Sequence, residues 1–82
     1  MSPDKLVYMA NQIAKFFAHE DEAQAVAAIA DHLTAFWEPR MRAAILKHAA
    51  SGGHGLDPRV RQALQHAAFR GGRANAERHG SP

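Results

Sequence analysis

Phe36-Trp37-Glu38-Pro39-Arg40-Met41-Arg42 sets the course of this chain. A residue ahead of proline is pushed out of the helical region, so Glu38 marks the end of one helix, near Trp37. Proline fits the first position of a helix, so Pro39 opens the next. The stretch holds the only tryptophan and is also where the charge changes sign. Residues 1–38 carry six acids against two bases, a net of −4, and residues 39–82 carry eight bases against two acids, a net of +6. An acidic half folding against a basic half accounts for such asymmetry, as does an acidic or nucleic-acid partner.

Ahead of this corner, Val26, Ile29, Ala30, Leu33, Phe36 and Trp37 recur at helical spacing. Leu6, Met9, Ala10, Ile13, Phe16 and Phe17 repeat the pattern twenty positions earlier. Val7 and Tyr8 lie off that stripe and read first as ordinary surface residues, with a second contact face as the alternative. Ser2-Pro3-Asp4 supplies a cap, a first-turn proline and an acid suited to the positive end of the helix dipole. The polar turn His19-Glu20-Asp21-Glu22 separates the two segments. Two equal stripes joined by a short turn predict an antiparallel αα-hairpin, about 3–18 and 22–37, with its apolar faces together. The repeat records either a duplication or the like stripes that two packed helices need.

Beyond the corner, Met41, Ala44, Ile45 and His48 share one face of a helix at about 39–50, with Arg40, Arg42 and Lys47 outside it. Ser51-Gly52-Gly53-His54-Gly55 stops this helix. Asp57-Pro58 caps a fourth, about 58–70, with Val60, Ala63, Leu64 and Ala67 inward and Phe69 on the opposite side. It is the weakest element, because two of its four inward residues are alanine. The reading is an all-α single domain over 1–72, a small bundle built on the hairpin, with a disordered tail at 73–82.

Composition narrows the function classes. At 82 residues the chain suits one domain with a thin core, and its 46% hydrophobic content includes 18 alanines, which bury little area. A partner surface would supplement such a core. The absence of cysteine excludes disulfides, thiolate metal ligands and cysteine nucleophiles. No apolar run is long enough to cross a bilayer and no signal-peptide pattern appears, so the expected location is cytoplasmic, without a membrane partner.

Six histidines are present, but none pairs at i, i+4. His48 and His54 flank a glycine-rich loop and lack an evident third ligand, so no metal site is expected; His48 reads as half-buried and hydrogen-bonded. The loop lacks the preceding strand and the lysine ending of a phosphate loop, and reads as a linker. No serine sits in a nucleophile-elbow pattern, and the acids cluster in a solvated turn, so no catalytic residues are assigned. Arg59, Arg61, Arg70 and Arg73 have only Phe69 as an aromatic neighbour, which makes nucleic acid a poor expectation. The corner remains. Tryptophan and arginine are enriched among interface hot spots, so Trp37, Pro39, Arg40, Met41 and Arg42 are the candidate partner contact. The alternative is that Trp37 plugs the end of the hairpin and the arginines are solvated.

Leu6-Val7-Tyr8-Met9-Ala10-Asn11-Gln12-Ile13-Ala14, Phe16-Phe17, Ile29-Ala30-Asp31-His32-Leu33 and the corner heptapeptide together resemble the delta subunit of the cytoplasmic NAD-dependent, molybdenum-containing formate dehydrogenase. The resemblance covers about residues 5–46, and Gly55-Leu56-Asp57-Pro58 fits loosely. It implies a non-catalytic accessory subunit beside alpha, beta and gamma subunits. The large subunits would hold molybdopterin guanine dinucleotide, iron–sulfur clusters and FMN, with no cofactor bound by this chain. Two roles are implied: a structural subunit, or a maturation factor that stabilises the catalytic alpha subunit during molybdenum-cofactor insertion. A transient hold on the anionic pterin by Arg40, Arg42 or the glycine loop ranks below a protein contact. The alternative from another class is a stand-alone helical regulatory or nucleic-acid-binding module.

Overall fold

A computed structural model describes residues 2–66 and residue 69. Its described residues form four helices and no strands: α1 Pro3–Phe16, α2 Glu22–Phe36, α3 Pro39–Ala50 and α4 Pro58–Gln65. The small all-α bundle agrees with the sequence reading. Three of the four starts are capped by side chains: Ser2 and Asp57 as expected, and Asp21 from the polar turn. Ser2 Oγ accepts from the Lys5 amide at 3.3 Å, Asp21 from Gln24 at 2.9 Å and Asp57 from Arg59 at 2.8 Å. Glu38 makes no such bond, and α3 begins on the fixed φ of Pro39 instead.

The helices pair differently from a simple hairpin. α1 and α2 touch across the turn at 17–21, but α2 packs most extensively on α4, and α1 on α3. The core joins Leu6 of α1, Val26, Ile29 and Leu33 of α2, Ile45 of α3 and Val60 and Leu64 of α4. Ala10 and Ala14 of α1, Ala25 and Ala30 of α2 and Ala63 of α4 are fully buried among them. Small side chains at the centre of a contact let helix backbones approach closely, and the alanine-rich sequence uses them there. The element with the thinnest stripe thus becomes the main cover of α2.

Two sets of residues depart from expectation. Phe16 and Phe36, placed on the core stripes by spacing, are each 73% exposed. The buried arc of α1 runs through Leu6, Ala10 and Ala14, which puts Phe16 roughly 120° from its centre at about 100° per residue. Phe36 falls on the last turn of α2, at the edge of its buried face. Phe69, read as facing away from Val60, is 2% exposed and belongs to the core. The helix spacing that put it outside does not continue to it, because α4 ends at Gln65 and His66 has extended dihedrals. Tyr8 is exposed as expected, while Val7 is half-buried against the core. The tail at 73–82 and the domain limit at 72 lie outside the described residues.

The glycine loop after α3 is tied down. Gly53, at φ +61°, is buried beneath the Arg61 guanidinium, which donates to its carbonyl at 3.0 Å. A Cβ there would lie 3.1 Å from Arg61 Cζ. His48 is half-buried, and its Nε2 donates to the His54 carbonyl at 2.8 Å. Asn11 of α1 spans the next turn: its Nδ2 donates to the Gly55 carbonyl and its Oδ1 accepts from the Asp57 amide, both at 2.9 Å. The loop that reads as a linker is a fixed joint between α1, α3 and α4.

Candidate partner interface

The corner between α2 and α3 divides into an inner and an outer set. Trp37 is the C-cap of α2, with its amide bonded to the Leu33 carbonyl, and only 5% of its surface is exposed. Its ring belongs to the core. α2 has no basic residue in its last turn. Arg42, one turn into α3, supplies that charge: its guanidinium donates to the Thr34 carbonyl at 3.3 Å and to the Trp37 carbonyl. A cation at a helix C-terminus satisfies free carbonyls and offsets the negative end of the dipole. Trp37 and Arg42 therefore close the corner from within. Of the five candidates, Pro39 and Arg40 are exposed, Met41 and Arg42 are half-buried, Met41 against the core, and Trp37 is buried.

Beside the corner lies an aromatic surface that the stripe reading placed inside. Phe16 meets Phe17 edge to face, with ring centroids 5.0 Å apart. His32 lies against Phe36 at 4.7 Å. Gln12, Ile13, Phe16, Phe17 and His32 line a shallow groove of about 270 Å³ between α1 and α2. The signal for this surface was present in the sequence: Ala10 and Ala14 lie on the buried line of α1, and Phe16 lies to one side of it.

Several ionisable groups elsewhere serve the fold. Burial alone would raise the Asp57 carboxyl, but hydrogen bonds from the Arg59 side chain and amide, with the Arg59 charge, hold it below its ordinary value. Glu22 Oε2 accepts from Gln62 at 2.8 Å and so links α2 to α4, and His19 lies 3.5 Å from Glu20 on the surface. Arg42, Arg59 and Arg61 of the basic half are each engaged within the chain. Among the described residues no ion pair crosses from the acidic half to the basic half. The same residues contain no group of three histidine or acidic side chains that converge on a metal, and no helix long and apolar enough to cross a membrane.

Comparison with protein families matches residues 5–64 to the NADH-dependent formate dehydrogenase delta subunit, FdsD. The matched span runs from the first turn of α1 almost to the end of α4. No curated protein and no solved structure matches the chain. The chain belongs to the formate dehydrogenase delta-subunit family, whose members are components of an enzyme with further subunits.

Proposed function

We propose that this chain is a non-catalytic accessory subunit that binds the catalytic alpha subunit of an NAD-dependent formate dehydrogenase and supports its assembly or the maturation of its molybdenum cofactor. The observation that carries the reading is the extent of the family match: it covers all four helices, so the whole described fold is the delta-subunit unit. The surface agrees with a binding role. Arg42, Arg59 and Arg61 are committed to a helix end, an ion pair and a loop anchor, while Phe16, Phe36 and Arg40 face outward.

The chain's own residues do not fit the cofactors that the enzyme implies. Iron–sulfur clusters take cysteine thiolates, and the chain has none. The glycine loop, whose N–H groups would have to cradle a phosphate, spends those of Gly52 and Gly53 on the Ala49 and His48 carbonyls of α3 and seats an arginine directly on Gly53. Molybdopterin guanine dinucleotide, iron–sulfur clusters and FMN are accordingly assigned to the alpha, beta and gamma partners. The setting of the complex is the cytoplasm.

Affinity purification of a tagged alpha subunit, with all subunits expressed together, should retain this chain. Failure to retain it overturns the reading. A strain lacking the chain separates the two roles. Enzyme from that strain with its full molybdenum content and activity would exclude maturation and leave a structural subunit.

A further inference from the structure

We propose that α4 is an exchangeable element: in a second form of the protein, two copies trade the segment that carries α4, and each α4 covers α2 of the other copy. The pairing of the helices permits this. α4 packs chiefly on α2, touches α1, and lies only slightly against α3, the helix before it in the chain, which is itself seated on α1. α3 therefore keeps its place when α4 leaves. The connection between them, residues 51–57, is rich in glycine, and Gly52 and Gly53 take positive φ, +117° and +61°, to turn the chain back. A straight path through residues 51–54 spans roughly 13 Å and carries α4 away from its own α2.

What covers α2 in the closed chain specifies what covers it in the exchanged pair. α2 buries Val26, Ile29 and Leu33, and α4 buries Val60, Ala63 and Leu64, with Phe69 beyond its end. Leaving these side chains in water is unfavourable, and eight residues are too few for a helix to persist undocked. The α4 of a second copy restores the same contacts residue for residue. They include the Glu22–Gln62 bond at 2.8 Å and the bonds from Asn11 to Gly55 and Asp57. An exchanged pair thus differs from two closed chains only at the hinge and in the entropy of association. The hinge favours the closed chain. The Gly53 amide donates to the His48 carbonyl at 3.0 Å, His48 Nε2 to the His54 carbonyl at 2.8 Å, and Arg61 to the Gly53 carbonyl at 3.0 Å. The glycine joint is therefore the device that sets the balance between one copy and two. Exchange leaves Phe16, Phe36 and Arg40 of each copy in place, so the pair presents that outward surface twice.

The test uses the full chain carrying Glu22→Cys and Gln62→Cys, positions whose side chains meet in the closed fold; the chain has no other cysteine. A short bis-maleimide joins the two thiols within one chain when it is closed and between chains when α4 is exchanged, and denaturing electrophoresis separates the products. Adding Gly52→Ala and Gly53→Ala opposes the turn. Neither backbone conformation suits an L side chain, and a Cβ on Gly53 would lie 3.1 Å from Arg61 Cζ. Each exchanged pair relieves that strain at both glycine positions of both chains. Its dissociation constant should therefore fall at least about a hundredfold, read by light scattering over a concentration series, with the links passing between chains. The chain with its native glycines, refolded at millimolar concentration, should show links between chains in a share that rises with concentration. A glycine variant that stays monomeric, with every link inside one chain, overturns the exchange. A dimer whose links stay inside each chain also overturns it, because the copies then associate through another surface. If the glycine variant does not fold, the chain with native glycines decides: links confined to single chains at every refolding concentration overturn the proposal.

Discussion

Replacing Asn11 by alanine tests whether the glycine loop is a fixed joint. Asn11 makes two hydrogen bonds of 2.9 Å, one to the Gly55 carbonyl and one from the Asp57 amide, and together they fasten the loop to α1. Each is worth about 0.5–1.5 kcal/mol net, so losing both should cost about 2 kcal/mol. A domain of this size has a total stability of roughly 4–12 kcal/mol, and each kcal/mol moves its Tm by about 4–8 °C. Thermal unfolding of Asn11→Ala should therefore begin about 8–16 °C lower. The damage should be local as well. α4 has eight residues, too few to persist alone, and it starts at Asp57, whose carbonyl accepts from Val60 at 2.9 Å and Arg61 at 3.1 Å. Hydrogen exchange should accelerate in α4 more than in α1 or α3. Fluorescence of the buried, single Trp37 follows the global transition. A Tm within about 2 °C of wild type, or equal acceleration in every helix, would show that the loop holds its place without Asn11.

Gly53→Ala should lower stability by about 1–2 kcal/mol, because a left-handed backbone and the Arg61 guanidinium both oppose a side chain there; the urea midpoint reads it. Arg42→Ala should cost about 1–2 kcal/mol through the carbonyls it leaves unpaired at the end of α2, whereas Arg40→Ala should stay within about 0.5 kcal/mol. Leu33→Ala empties a fully buried site where α2 meets the core and should cost about 2–5 kcal/mol, enough to lose most helical circular dichroism on mild warming. Asp57 has a carboxyl held below 3.8, so its contribution is complete above that pH and is lost as the pH falls through the lower folded value. Arg59→Ala removes the side-chain bond and the charge while keeping the amide bond, and the acid limb of a stability–pH curve should move to higher pH; an unmoved limb would mean that the Arg59 side chain does not hold the carboxyl down.

How far the sequence could be read depended on whether a residue's task was local or remote. Ser2-Pro3, Pro39 and Asp57-Pro58 act within a turn of themselves, and the helix starts they predict are the ones observed. Asn11 acts across 44 and 46 positions, and Gln62 across 40, so no periodicity announced either role. Phe69 lies past the last residue of α4, where extrapolating the helix angle fails. The corner heptapeptide shows both kinds within seven residues. Glu38-Pro39 announced the break between helices. Arg42 reads as a surface cation until the structure shows that its guanidinium completes the end of α2. Phe16 and Phe36 were misplaced for a further reason: a hydrophobic stripe gives the direction of burial but not its centre, and in an alanine-rich chain the smallest residues occupy the centre. Where Ala10, Ala14, Ala25 and Ala30 draw the helices together, bulky side chains are displaced to the flanks, and at the ends of α1 and α2 no further element covers them. The same substitution of small for large that thins the core therefore creates the exposed aromatic pair, and ties the chain's modest interior to a surface suited to a partner.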